Sequence, residues 1–340
     1  MRLMLDHLPV GKLPADLLAT ILARAPVLDR RILLGPGVGL DCAVVDLGTT
    51  YLVFKTDPIT FASDAIGWYA VQVNANDIAT TGALPRWFMM TLLLPEASTT
   101  STLVEQISEQ VFSACREMGI SVIGGHTEIT YGLQRPILVG SMIGEAGKED
   151  LVRPDGAQPG DRLLLIKSVP IEATALLARE FPGRLETVFS KAEIRQAQEY
   201  LYKPGISVLR CARLAVAAGK VTAMHDPTEG GLASALWEMA EAANRMLVFY
   251  PQAVLIDPLA ARVCEHFKID PLFAIASGAL LLTAAPEDAS RISSALQEEG
   301  IPCAEIGHVE AGAPLVWQSG SHGNTLLERP ARDAIATLFE

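Results

Sequence analysis

The sequence contains no C-x-x-C pair and no cysteine–histidine cluster. Its five cysteines (Cys42, Cys115, Cys211, Cys264 and Cys303) are odd in number and widely separated. This argues against structural zinc and for a reducing, cytoplasmic setting. Runs long enough to cross a bilayer are also missing. The longest nearly apolar stretches, Trp87 to Leu94 and Phe273 to Ala285, fall far short of the roughly 18 to 20 residues that span one. Asp6 and His7 stand where a signal peptide needs its apolar segment, so neither export nor membrane attachment is expected. Basic residues are in deficit: 27 Lys and Arg against 39 Asp and Glu give a net charge of −12. A chain this acidic lacks the footprint for nonspecific contact with a phosphate backbone, which excludes nucleic acid as an expected partner. It can still take an anionic nucleotide if Mg²⁺ stands between its carboxylates and the phosphates.

What remains is a globular composition. Half of the 340 residues are apolar and 19% are charged, enough for about two domains. A polar stretch rich in Gly, Pro and charge, Ala146 to Asp161, marks the expected boundary between residues 1–150 and 151–340. In the first half, Ala43 to Asp46 and Tyr51 to Thr56 read as a hairpin. Ile66 to Thr81 is helical up to Gly82, Arg86 to Leu94 is a strand, and a helix runs from about Ser101 to Met118. Ile120 to Ile123 and Pro136 to Ile143 complete a β-β-α-β-α-β-β order. That order predicts an α+β fold, a mixed sheet with helices on one face, and not an alternating Rossmann pattern. The second half is again α+β. It has helical stretches from Ile171 to Ala218, strands Val221 to His225, Leu247 to Ile256 and Ala279 to Thr283, helices Gly231 to Asn244 and Pro286 to Glu299, and a strand near Ile306.

Chemistry-bearing residues gather beside small or turn-forming ones. Gly35 to Asp41 is a glycine-rich loop that lets backbone N–H groups approach phosphates, with Asp41 as a metal candidate; the alternative is a flexible lead-in to a strand. Lys55-Thr56-Asp57 ends an apolar strand, where Asp57 is either ligand-facing or a cap before Pro58. Asn74-Ala75-Asn76-Asp77 sets poor helix formers inside an apolar helix, which weakens it unless something binds them; a solvated stripe is the bland alternative. Gly124-Gly125-His126-Thr127-Glu128 follows a short strand, with His126 and Glu128 placed to point the same way, though a lone strand-end histidine is usually structural. His225-Asp226-Pro227-Thr228-Glu229-Gly230-Gly231 ends a strand and opens a helix whose N-terminus favours anions. Thr228 or Asp226 as a simple N-cap explains part of it.

Taken in this order, these segments resemble the superfamily of aminoimidazole ribonucleotide (AIR) synthase, which includes the hydrogenase maturation protein HypE, thiamine-monophosphate kinase and selenophosphate synthetase. Gly37 to Val45 is similar to the kinase's G-x-G-x-D-x-A-V-V. Asn76-Asp77-Ile78-Ala79 with Gly82-Ala83-x-Pro85 resembles N-D-L-A-x-x-G-A-x-P of HypE, and His225 to Ala233 its H-D-P-T-R-G-G-L-A, the most specific match. The resemblance covers nearly the whole chain. It implies ATP with Mg²⁺, a homodimer built through the N-terminal halves, and phosphate transfer to an oxygen of a small-molecule or protein-borne acceptor. On it, Asp41, Asp57 and Asp77 carry Mg²⁺, and His225, Asp226, His126 and Glu128 are the catalytic candidates. Gly37, Gly39, Lys55, Asn74, Asn76, Gly124, Gly125 and Thr228 stand against the nucleotide. Departures are Glu229 for the family's arginine, His126 for its G-G-D acid, and no cysteine near Glu340, so the acceptor is expected to be a separate molecule. The alternatives are a small-molecule kinase of the thiamine-phosphate kind and a nucleotide-binding partner that has lost turnover.

Overall fold

The computed structural model describes residues 8, 13–60, 64–320 and 323–339. Asp6 and His7 lie outside them. The first half holds α1 (Ala15–Leu22), β1 (Ile32–Leu34), β2 (Ala43–Asp46), β3 (Tyr51–Ile59), α2 (Ile66–Thr80), β4 (Leu84–Pro95), α3 (Ser101–Met118), β5 (Ser121–Thr130) and β6 (Ile137–Ala146). The second holds β7 (Arg162–Ile166), α4 (Ile171–Glu180), α5 (Pro182–Leu185), α6 (Lys191–Gln198), α7 (Leu209–Ala218), β8 (Val221–His225), α8 (Gly231–Ala243) and β9 (Met246–Phe249). After these come α9 (Pro258–Phe267), β10 (Leu280–Ala284), α10 (Pro286–Glu298), β11 (Cys303–Glu310), β12 (Val316–Gly320) and β13 (Gly323–Leu326).

Two mixed sheets result. The first runs β1-β2-β3-β6-β4-β5, antiparallel except for the β4–β5 pair. The second runs β13-β12-β9-β11-β7-β10-β8, with only β9 and β12 parallel. In β6 every second residue is buried (Leu138, Gly140, Met142, Gly144, Ala146), and this face lies under α2. The helix comes down onto the strand at two glycines. A Cβ at Gly140 would stand 2.4 Å from Asn74 Nδ2, and one at Gly144 2.3 Å from Ile78 Cγ2. Helices cover the other sheet on both faces. α8 packs over Leu163, Leu165 and Leu281, while α7 and α10 pack over Leu164, Ile166 and Leu282.

The structure adjusts several expected boundaries. The strand expected to stop at Ile123 continues through Gly124, Gly125, His126 and Glu128 to Thr130, because those residues pair with Met89 to Pro95 of β4. Gly125 serves that pairing, since a Cβ there would sit 2.1 Å from the Met90 carbonyl oxygen. The strand expected over Leu247 to Ile256 ends at Phe249, where Pro251 opens a 3₁₀ turn and removes a ladder donor. The helical stretch to Ala218 is broken into four α-helices.

Asn76 ties the halves together. Its Nδ2 donates to the Ile206 carbonyl oxygen and its Oδ1 accepts from the Val208 N–H, both at 2.8 Å and both buried. Asn76→Ala would leave two buried backbone groups unpaired, so urea denaturation should show a loss of about 3 kcal/mol. A loss below about 1 kcal/mol would mean that solvent reaches both groups.

Candidate functional site

The C-terminal end of β3, the middle of α2 and the end of β8 converge on one cavity of about 520 Å³, within the range of small-molecule sites. Alternation along β3 puts Lys55 and Asp57 on the same face as Val53, under α2, and the helix brings Asp77 to them. Lys55 Nζ lies 3.0 Å from Asp77, 3.8 Å from Asp57 and 4.0 Å from Asp41. Burial works against the ammonium, but the carboxylates of Asp77, Asp41 and Asp57 outweigh it and hold its pKa well above the ordinary value. Asp77 itself is pushed well up, by burial first and then by the Asp226 carboxylate.

His225 ends β8 between two acids: Nε2 meets Glu238 of α8 at 2.7 Å, and Nδ1 meets Asp41 at 3.4 Å. Burial disfavours the imidazolium, yet these two carboxylates raise its pKa well above the usual value. Next to it, Asp226 is 1% exposed, and neither of its carboxylate oxygens has a hydrogen-bond partner among the described residues. Burial pushes its pKa up as well. Two buried, unpartnered carboxylate oxygens on a cavity wall are a cation site by their chemistry. Among the described residues, however, no three His, Cys, Asp or Glu groups stand close enough to hold a metal alone. Lys55 occupies the centre of Asp41, Asp57 and Asp77. A hard cation therefore fits only with further ligands from its partner, as Mg²⁺ usually binds through one or two carboxylates plus phosphates.

Asp41, Lys55, Asp57, Asp77, His225, Asp226 and Thr228 all line this cavity. Gly39 lines a narrow crevice beside it, with Asp41 and His225; Gly37 lines neither. Asn74 and Asn76 are elsewhere. Asn74 Nδ2 donates back to the Ala70 carbonyl oxygen at 2.8 Å where the helix rests on Gly140, and Asn76 is consumed by the tie described above. His126, Glu128, Gly124 and Gly125 stand on the exposed edge strand β5, the first two paired with each other at 3.1 Å. They do not reach the cavity within one chain. The N-terminus of α8 is not open to an anion as expected, since Asp333 fills it by accepting from the Gly230 N–H at 2.6 Å. Sequence reasoning missed Tyr69, Glu172, Glu238, Ser277 and Asp333 on the walls. Each sits in an unremarkable local context, so only the fold reveals it.

With this geometry in hand, comparison with known proteins decides the family. The N-terminal domain of AIR synthase related proteins matches residues 39–146 and the C-terminal domain matches 158–318. The chain belongs to the AIR synthase-related family. It is 30% identical over 288 residues to the carbamoyl dehydratase HypE of Bradyrhizobium diazoefficiens, covering 80% of this chain and 78% of that one. Its fold superposes on HypE solved in complex with ATP, with a TM-score of 0.69 at 23% identity, covering 92% and 90% of the two chains. It also superposes on a ThiL solved with AMPPCP and TMP, with a TM-score of 0.71 at 21% identity, covering 93% and 94%. The family's two-domain α+β architecture is thus the one seen here. No helix among the described residues is long and apolar enough to cross a membrane.

The His225 arrangement carries a pH signature. Its folded pKa is raised, so the stability it contributes is full below the unfolded value near 6.5 and is lost as pH rises through the folded value. In ring-nitrogen NMR without added metal, His225 should remain imidazolium at pH 7.5, and Glu238→Gln should bring its titration down by about 1 pH unit or more. A neutral ring at pH 7.5 in the unsubstituted protein would contradict the ion-pair account.

Proposed function

We propose that this protein is an ATP- and Mg²⁺-dependent enzyme that transfers phosphate to an amide- or carbamoyl-type oxygen of an unidentified acceptor. The observation that carries the reading is Asp226, a residue with two buried, orphaned oxygens on the wall of a cavity also lined by Asp41, Asp57 and Asp77. Phosphoryl transfer is chiefly positioning and charge neutralisation, and a nucleotide can enter a pocket this acidic only with a cation between the two. Asp226 and the carboxylates around Lys55 would hold Mg²⁺, which supplies that neutralisation when bound. Lys55 keeps the three aspartates together and offers a permanent positive charge beside them. His225, fixed by Asp41 and Glu238, holds a proton at the same end of the cavity.

Similarity to HypE proteins, one of them solved with ATP, supports the nucleotide and the amide-type acceptor. A second reading, a small-molecule kinase of the thiamine-phosphate kind, is favoured by the glycine-rich segment Gly37 to Val45 and by the likeness to ThiL. The homodimer belongs to this proposal too. β5 is an open edge strand carrying Val122, Ile123 and Ile129, 38–61% exposed, and Tyr131 just beyond it is 83% exposed. A second copy would bury that edge and bring His126 and Glu128 into an interface.

Calorimetry should show ATP binding with Mg²⁺ and at least ~10-fold weaker binding in EDTA; equal affinities would sink the reading. Asp226→Asn and Asp77→Asn should each keep the fold and weaken Mg²⁺–ATP binding about 10-fold or more, and Asp226→Asn should also melt higher without ligand because it removes an uncompensated carboxylate. Light scattering at micromolar concentration should give a dimer that Ile129→Asp disrupts. A monomer in the unsubstituted protein would remove the dimer from the proposal.

A further inference from the structure

Part of the cavity wall has no task in the nucleotide reading, although Glu172 there lies within electrostatic reach of Asp226. Tyr69 of α2 and Glu172, in the first turn of α4, stand on this part of the wall, with Val73, Leu176, Ile275 and Ile335 supplying apolar surface. The Tyr69 phenolic oxygen is buried and has no hydrogen-bond partner among the described residues. Leaving a hydroxyl so placed costs about 1–3 kcal/mol, which is sustained most readily where a ligand completes the bond. Glu172 is 6% exposed and leans on Ser277 alone among the described residues, accepting from its N–H at a long 3.3 Å and from its hydroxyl. Burial pushes its carboxyl up to about 7. An enclosed acid and an enclosed phenol on the wall of one apolar pocket thus both have bonding capacity to spare.

Charge narrows what can fill it. Eight acidic side chains line the cavity against only Lys55 and His225, and those two cations are already engaged by Asp41, Asp57, Asp77 and Glu238. Arg179, near enough to act on the Tyr69 phenol, is held by Asp64 and the Gln198 carbonyl oxygen, so among the described residues a phosphate ester or carboxylate lodged beside Glu172 would find no free counter-charge. A group bearing N–H donors would give Glu172 the hydrogen bonds it lacks, and a carbonyl on the same group would accept from Tyr69. We propose that Glu172 and Tyr69 form a subsite for an uncharged or cationic molecule with N–H donors on a small apolar body, a carboxamide or an amine, and that it rejects phosphorylated compounds. That this molecule is the phosphate acceptor rests on the function proposed above; the subsite itself does not.

The test is a saturation-transfer NMR titration of the full chain with butyramide, butylammonium, butyrate and butyl phosphate, with and without Mg²⁺–AMPPCP, whose own affinity is measured separately. Butyramide or butylammonium should bind saturably and at least ~10-fold more tightly than either anion; which of the two leads distinguishes a carboxamide from an amine ligand. Tyr69→Phe and Glu172→Gln should each weaken that binding about 3- to 10-fold and leave the AMPPCP affinity unchanged, and Tyr69→Phe should melt no lower than the unsubstituted protein because it removes only an unpaired oxygen. Butyl phosphate binding as tightly as the N–H probes, N–H probes that bind equally to both variants, or no binding of either N–H probe overturns the subsite. AMPPCP binding without probe binding refutes this inference alone. Probe binding without AMPPCP binding refutes the nucleotide reading and leaves the subsite standing.

Discussion

The structure depends most on the contact between one ammonium and three carboxylates beneath α2. Asp77 is buried there at 5% exposure, beside Asp41 and Asp57 at 37% and 36%, and without a counter-charge the buried carboxyl would be repelled by its two neighbours. Lys55, 11% exposed, supplies that charge from the same strand as Asp57. Its position follows from alternation along β3, and Asp77 reaches it because glycines at 140 and 144 let the helix settle onto the sheet. The ion cluster, the helix packing and the depth of the cavity are one arrangement.

A second layer of compensation surrounds that centre. Glu238 and Asp41 share His225, and Asp333 settles on the N-terminus of α8. Among the described residues, Asp226 and the Tyr69 phenol are left without a partner on the cavity wall, as are Trp68 Nε1, Gln72 Oε1, Asn74 Oδ1 and Arg245 Nε away from it, and the Glu172 carboxyl is incompletely satisfied. Those on the cavity wall are where outside atoms can complete the structure.

Much of this was legible before the fold was known. Asp41, Asp57, Asp77, His225 and Asp226 stand out because each breaks a local rule: an acid after glycines, at a strand end, inside an apolar helix, or before Pro227. Rule-breaking residues are those most often kept for a site. The same logic failed for Asn76, where the broken rule answers to a long-range backbone contact, and for Gly124 and Gly125, which serve strand pairing. Glu172 and Glu238 gave no signal, since an acid in the first turn of a helix or on an amphipathic face is ordinary in sequence. Only tertiary placement makes them unusual. Helix and strand order from Ala43 to Ala146 was readable from periodicity, whereas α1 and β1 were not anticipated, and β12 and β13 lie in polar sequence with no clean alternation.

Asn76 and Asp77 are neighbours in one helical turn, one fastened to the backbone at 206 and 208 and the other to Lys55. The attachment of the two halves and the geometry of the charge cluster are therefore read from the same stretch of α2. A fluctuation that parts the halves pulls on Asp77 and withdraws His225 from Asp41 in the same movement, leaving acids of the first half without one of their cations. Separation breaks the His225–Asp41 pair as well as the packing, but it also relieves the repulsion between Asp77 and Asp226 across the same boundary.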